Sequence, residues 1–169
     1  MNSFLQRMRK NRVAELDVGT TMLGAIDKKD LDRLRELVAE SVRGSVTVSD
    51  EEAAVLIEEI VQSLDNWRES DSAGFGRKYS VADEVVGFIV VKDYWKLSHL
   101  FVSPEFQGRG IGRKLVEAAV EACRDKGPHL KIKLNSSSNA AGFYEAVGFR
   151  RTGPGIDRPG GCIAYEYCF

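Results

Sequence analysis

Cysteine, proline and methionine are all scarce in this 169-residue chain, at three, four and three residues. The three cysteines, Cys123, Cys162 and Cys168, are odd in number and lack metal-ligand spacing, which argues against a disulfide framework and against a zinc site. No metal is expected, and a reducing cytoplasm is the expected compartment. Long apolar runs are missing too: none approaches the ~20 residues of a membrane span, and the N-terminus lacks the apolar core of a signal peptide. Strong charge of either sign is absent, the formal net charge being -1. No block of like charges is long enough to act as a tail, so neither nucleic acid nor a membrane surface is an expected partner.

What is present fits one ordinary domain: 43% of residues are hydrophobic, enough for a single sizeable core. The domain is expected over residues 21–169, behind a frayed or helical leader over residues 1–20. The leader's "RMRKNR" has the basic character of a transit peptide, but Glu15 and Asp17 follow at once. Charge is uneven: residues 27–93 carry 9 basic and 16 acidic side chains, whereas residues 96–151 carry 10 basic and 5 acidic. An anionic ligand is expected in the second half, and the acidic first half leans towards a cationic acceptor.

A first strand in "TTMLGAID" ends at Asp27, which can cap a helix with Leu31, Leu34, Leu37, Val38 and Val42 on one face. Ser49 with Glu52 forms a capping box for a second helix, whose stripe runs through Ala53, Leu56, Ile57, Ile60, Val61, Leu64 and Trp67. Both stripes read as core without chemistry. Strands follow near 77–82, 84–92 and 96–103 as an antiparallel meander. An amphipathic helix stops at Gly127-Pro128, and "HLKIKLN" is a further strand. A short helix in "SSNAAGFYEAVGF" and two closing strands around a Gly/Pro-rich turn complete the order β-α-α-β-β-β-α-β-α-β-β. That is an α/β domain on one mixed, mostly antiparallel sheet of six or seven strands with about four helices.

The chemistry concentrates in "QGRGIGRKL", where Gly108, Gly110 and Gly112 alternate between a strand and a helix. Glycine lets the chain turn tightly and lets a ligand approach the main chain without a Cβ in the way. The exposed N–H groups fall at a helix N-terminus, which suits a phosphate or pyrophosphate, and Arg109, Arg113 and Lys114 add charge. A P-loop would need Gly-Lys-Ser/Thr where Gly112-Arg113-Lys114 stands. A dinucleotide fingerprint would need G-x-G-x-x-G and an acidic residue at the end of the next strand, which here ends in Asn135.

Gln107-Gly108-Arg109-Gly110-Ile111-Gly112 resembles the Q/R-x-x-G-x-G/A signature of the GCN5-related N-acetyltransferases. "LSHLFVSPEF" resembles the strand before that signature, and "AAGFYEAVGF" the family's tyrosine-bearing helix, so the likeness spans about residues 84–150. The resemblance implies that acetyl-CoA lies between the signature strand and the next. Its pantetheine arm would meet the main chain of Phe101 and Val102, and its pyrophosphate the N–H groups of Gln107, Gly108, Arg109, Gly110, Ile111, Gly112 and Arg113. Tyr144 matches the tyrosine assigned as general acid to the departing thiolate; a phenol near pKa ~10 can serve a thiol near ~8.5. Seven residues before it the family often has a cofactor-binding asparagine where this chain has Ser137, with Asn139 and Asn135 as alternatives.

The implied reaction is direct acetyl transfer to a primary amine of a small molecule or peptide, with no covalent enzyme intermediate. The amine must lose a proton, and His99, Asp83, Glu84, Asp93, Glu166 or a water wire could accept it. Strand alternation turns His99 away from the side of Val102 unless a bulge intervenes. The family habit also implies a possible homodimer through the last strands. The alternative reading is an acyl-CoA-binding sensor without turnover. No motif in residues 27–75 or 153–161 identifies the acceptor.

Overall fold

The structure, a computed structural model, describes residues 20–169, so the expected leader with its basic stretch at residues 7–12 lies outside them but for Thr20. β1 (Thr21–Ala25) leads through a 3-10 turn (Lys28–Asp30) into α1 (Leu31–Ser45). α2 (Asp50–Glu69) begins on the expected capping box: Ser49 Oγ accepts from Glu52 N–H at 3.2 Å, and Glu52 Oε2 accepts from Ser49 N–H at 2.9 Å. The meander follows as β2 (Gly74–Val81), β3 (Glu84–Lys92) and β4 (Lys96–Val102). α3 (Ile111–Cys123), β5 (Lys131–Ser136), α4 (Ala141–Ala146), β6 (Arg150–Arg151) and β7 (Ile163–Cys168) complete the order that the sequence predicts.

The seven strands form one sheet in the order β1-β2-β3-β4-β5-β7-β6. Every pairing is antiparallel except β4 with β5, where α3 supplies the crossover that a parallel pair requires. That parallel pairing consists of one register pair, Lys96 with Lys133, beside a hydrogen bond from Lys133 N–H to Trp95 O at 2.7 Å. Beyond it the two strands separate.

The sheet is packed on both faces. α1 and α2 cover one face through Leu34, Leu37, Val38 and Leu64 against Val85, Phe88 and Val90 of β3. α3 covers the other through Leu115, Val116, Ala119 and Cys123, against Val86, Ile89 and Val91 of β3 and Ile132 of β5. Burial of these side chains is the main stabilising term, on the order of 1.5–3 kcal/mol for each fully buried aliphatic or aromatic residue.

At the outer end of the sheet, Lys78 of β2 is buried with Asp30. Its Nζ lies 2.6 Å from Asp30 Oδ2 and 3.2 Å from Asp27 Oδ2. The pair fastens the β1–β2 edge to the start of α1.

Candidate active site

The gap between β4 and β5 follows from hydrogen-bond geometry. Ser103 N–H donates to Val86 O at 2.8 Å, and the same register pairs Phe101 with Phe88. In an antiparallel ladder such pairs alternate, so the main-chain groups of Phe101 are used against β3, while those of Leu100 and Val102 face the gap. This corrects the expectation for Phe101, whose main chain does not face the gap; that of Leu100 does. The Val102 carbonyl accepts from Ser41 Oγ at 3.2 Å and from Gln107 Nε2 at 3.0 Å, which uses both of its lone pairs. Gln107 therefore turns its side chain back to the strand end.

The register slips between Val90 and Val91, where Val90 opposes His99 and Val91 opposes Leu97, leaving Ser98 as the extra residue of a bulge. The bulge puts Leu97 on the α3 side together with Leu100 and Val102. His99 is buried on the α1/α2 side, where Nε2 donates to Ile60 O at 3.2 Å and Nδ1 lies 2.9 Å from Ser98 Oγ. Burial is the chief cause that lowers its pKa to about 4, with nearby Lys92 lowering it further. A neutral, packed imidazole that lines neither cavity described below is poorly suited to be the base.

Past β4 the chain makes a 3-10 turn (Pro104–Phe106) and enters the glycine stretch. Gly108 and Gly110 adopt left-handed φ of +75° and +79°, and a Cβ on either would meet nothing within 4 Å, so the backbone there is bare and accessible. Gly110 is the N-cap of α3, and the first closing bond of the helix is Lys114 N–H to Gly110 O at 3.1 Å. The N–H groups of Ile111, Gly112 and Arg113 precede that bond and are left for another acceptor. Gly112 serves packing instead: its Cβ would lie 3.1 Å from the Phe143 ring.

The basic side chains beside the loop are partly engaged. The Arg109 guanidinium lies over the Phe106 ring at 5.1 Å, Arg113 Nη2 donates to Ala146 O at 3.3 Å, and Lys114 Nζ donates to the Tyr79 hydroxyl at 3.3 Å. A cavity of about 420 Å³ opens over the loop, with Gly108, Gly110, Gly112, Arg113, Asn139 and Tyr144 in its wall. Gln107 and Ile111 line it too, whereas Ser137 does not. Ser137 opens onto a second cavity of about 250 Å³ instead. The 3-10 turn Ser138–Ala140 thus separates the two polar candidates, with Asn139 on the glycine side.

Leu100, Ala140 and Tyr144 line both cavities, so Tyr144 stands where they meet. Its ring is buried against Phe143, Phe149 and Tyr165 at centroid distances of 5.2, 5.7 and 6.1 Å. Its hydroxyl has no hydrogen-bond partner among the described residues, and burial alone raises its pKa. No described side-chain polar atom is both sealed and unpaired, so the hydroxyl must reach open space.

The second cavity is bounded by side chains read from the sequence as plain core. Val42 of α1 and Leu56 and Ile60 of α2 form part of its wall, with Leu97, Phe101 and Asn135 opposite. Among the described residues no Asp or Glu lines it, and Arg158 is its one charged residue. The acidic surplus of residues 27–93 does not extend into it. The remaining carboxylate candidates also lie elsewhere. Asp83 occupies the β2–β3 turn at φ +67° and Asp93 the β3–β4 turn at φ +52°, while Glu84 lies 3.7 Å from Arg33 and Glu166 3.2 Å from Lys131. Cys123 is buried with its thiol pushed up to about 11 by desolvation, which makes it inert as a nucleophile.

Arg158 and Gly160-Gly161 carried no sequence signal beyond a Gly/Pro-rich turn. Both glycines have φ of +76°, and the turn bonds to the site's far wall through Ser138 N–H to Gly160 O at 2.9 Å. Paired glycines able to take left-handed backbone were the available hint.

Comparison with known proteins agrees with the fold. Residues 45–163 match a family model described as an acetyltransferase (GNAT) domain. The peptidyl-lysine N-acetyltransferase YjaB of Escherichia coli strain K12 is 38% identical over 72 residues, 42% of this chain and 46% of YjaB, so that match spans less than half of the relative. An uncharacterized N-acetyltransferase of Archaeoglobus fulgidus is 29% identical over 74% of this chain and 90% of its own. Among solved structures, a GCN5-related N-acetyltransferase from Rhodopseudomonas palustris superposes with a TM-score of 0.76 at 18% identity, covering 89% of this chain and 96% of that one. The PaiA N-acetyltransferase of Thermoplasma acidophilum, solved in complex with coenzyme A, gives 0.73 at 23% identity over 89% and 99%.

Proposed function

We propose, from the premise that the chain belongs to the acetyltransferase (GNAT) family, that it is an acetyl-CoA-dependent N-acetyltransferase acting on a primary amine by direct transfer. The observation that carries the reading is the unpartnered Tyr144 hydroxyl at the meeting of two cavities, one over bare helix N-terminal backbone and the other largely apolar.

The residues suit the co-substrate. Bare N–H groups at the start of α3 offer donors to a pyrophosphate, with Arg113 and Asn139 on the same wall. The open main chain of Leu100 and the N–H of Val102, whose carbonyl is taken by Ser41 and Gln107, offer strand-like pairing to an extended amide-bearing arm. Acetyl-CoA supplies the thioester, whose C–S bond breaks as the new C–N bond forms; the thiol gains one proton and the amine loses one. Tyr144, its proton retained by burial, donates towards the departing sulfur. Among the described residues no carboxylate or imidazole lines the second cavity, so the amine's proton leaves through water.

Release of free thiol from acetyl-CoA, measured with a panel of amines, amino acids and peptides, tests the reading. Turnover on at least one amine, with the product mass raised by one acetyl group, is expected. Tight CoA binding without thiol release on any amine would favour a binding module instead.

A further inference from the structure

We infer that the acceptor is a small amino acid with an apolar side chain, its amine directed to Tyr144 and its carboxylate read by Arg158; this rests on the acetyl-transfer reading above. The second cavity holds about 250 Å³, less than the roughly 300–1,000 Å³ of a drug-sized site, and adjoins a wide, open depression of about 760 Å³ that offers the acceptor little enclosure. Its wall includes Val42, Val46, Leu56 and Ile60 on one side and Leu97 and Phe101 on the other, a surface that suits an aliphatic or aromatic side chain.

Charge then decides between acceptor classes. An ammonium entering this cavity is desolvated and meets no carboxylate among the described residues, which lowers its pKa and favours the neutral, attacking form. A second ammonium held within this cavity, as in a polyamine, would find no counter-charge among the described residues. An anion would find one, because Arg158 lines both this cavity and the wider depression beside it, and therefore stands where the two meet. Its contact with Glu59 is long, 3.5 Å, and the Glu59 side chain is 61% exposed, so the guanidinium keeps donors for a carboxylate. The outer depression does contain Glu52 and Asp157. Glu52 Oε2 already accepts from the Ser49 N–H of the α2 cap, and neither carboxylate lines the second cavity itself.

The position of Arg158 is fixed by the two glycines after it. A Cβ on Gly160 would meet Val46 Cγ1 at 2.9 Å, and one on Gly161 would collide with Ser138 Oγ. Gly161 N–H donates to Arg158 O at 2.8 Å, closing a turn around the arginine. The loop backbone thus lies pressed between the α1–α2 segment and the Ser138 turn, where only glycine fits.

The test compares L-leucine, L-methionine and L-phenylalanine with L-leucinamide, 3-methylbutylamine and spermidine, as kcat/KM per neutral amine at saturating acetyl-CoA. L-Leucine is expected to exceed L-leucinamide by about ten- to a hundredfold, the value of one charge-assisted contact. Arg158→Gln should reduce that ratio to within about threefold, mainly through KM for leucine, with Arg158→Lys intermediate. An unchanged acetyl-CoA Kd in both variants shows that they are folded. Equal or better use of leucinamide, 3-methylbutylamine or spermidine by the native chain would overturn the assignment and leave acetyl transfer standing, as would a leucine preference that survives Arg158→Gln. Absence of thiol release with every amine would overturn the acetyl-transfer reading and this one with it.

Discussion

At Tyr144, burial raises the pKa, so the phenol keeps its proton through the neutral and mildly alkaline range. Tyr144→Phe removes only the hydroxyl, which bonds to no described residue, so the fold should tolerate it. Turnover should fall by about a hundredfold or more while acetyl-CoA affinity stays within a small factor, as steady-state kinetics and calorimetry would report. Unchanged turnover would remove Tyr144 from the mechanism. His99 behaves differently, because its pKa is depressed from 6.5 to about 4 by desolvation. Between those values the unfolded chain binds a proton that the folded chain does not, so stability rises with pH. The contribution is complete above about pH 6.5 and is lost as pH falls towards 4, about 3 kcal/mol across the window. Urea midpoints at pH 7 and 4.5 should therefore differ less in His99→Gln than in the native chain. The same shift implies that kcat/KM shows no limb from His99 near pH 6.5; it should simply rise as the acceptor amine deprotonates.

At the scale of the element, the three glycines of the loop divide into two kinds. Gly108 and Gly110 are needed for left-handed backbone and open approach, whereas Gly112 is needed because Phe143 presses on it. Gly110→Ala should cost about 1–2 kcal/mol in backbone strain, lower the Tm by a few degrees and raise the KM for acetyl-CoA. Gly112→Ala should instead separate α3 from α4 and reduce kcat through its effect on the Tyr144 helix. A kcat change in the first or a pure KM change in the second would reverse that division. These glycines were legible in the sequence because alternation between a strand and a helix is a local pattern. Tyr144 was legible through its "FYEAVGF" frame. The Ser98 bulge was not, because a one-residue register slip depends on what the neighbouring strand offers and leaves alternation in the sequence unmarked. The open main chain was expected at Phe101 and Val102 together, but neighbours in a strand turn their main-chain groups to opposite edges, so only Val102 of the two faces the gap. The acceptor wall stayed hidden for a different reason: Val42, Leu56 and Ile60 obey helical periodicity whether they face packed protein or a cavity.

Across the whole molecule, the order of elements followed from periodicity and turn residues, but the geometry of the site arises from contacts far apart in sequence. Lys78 and Asp30 illustrate this, as a buried ion pair joining β2 to the start of α1. Lys78→Met should leave Asp30 buried and unpaired at a cost of about 3–5 kcal/mol, read as a reduced denaturation midpoint, while Lys78→Met with Asp30→Leu should recover part of the loss. The helices also leave the middle of the sheet unfinished, since β4 and β5 share one register pair and then part. Most sheets have unpaired backbone only at their two outer edges, where another chain can add on and aggregation begins. Here a further edge is enclosed, bordered on both sides by strands of the same chain. The amide protons of Leu100 and Val102 should accordingly exchange with solvent like those of an outer strand despite their central position, and a ligand that slows them acts as a temporary strand completing the sheet.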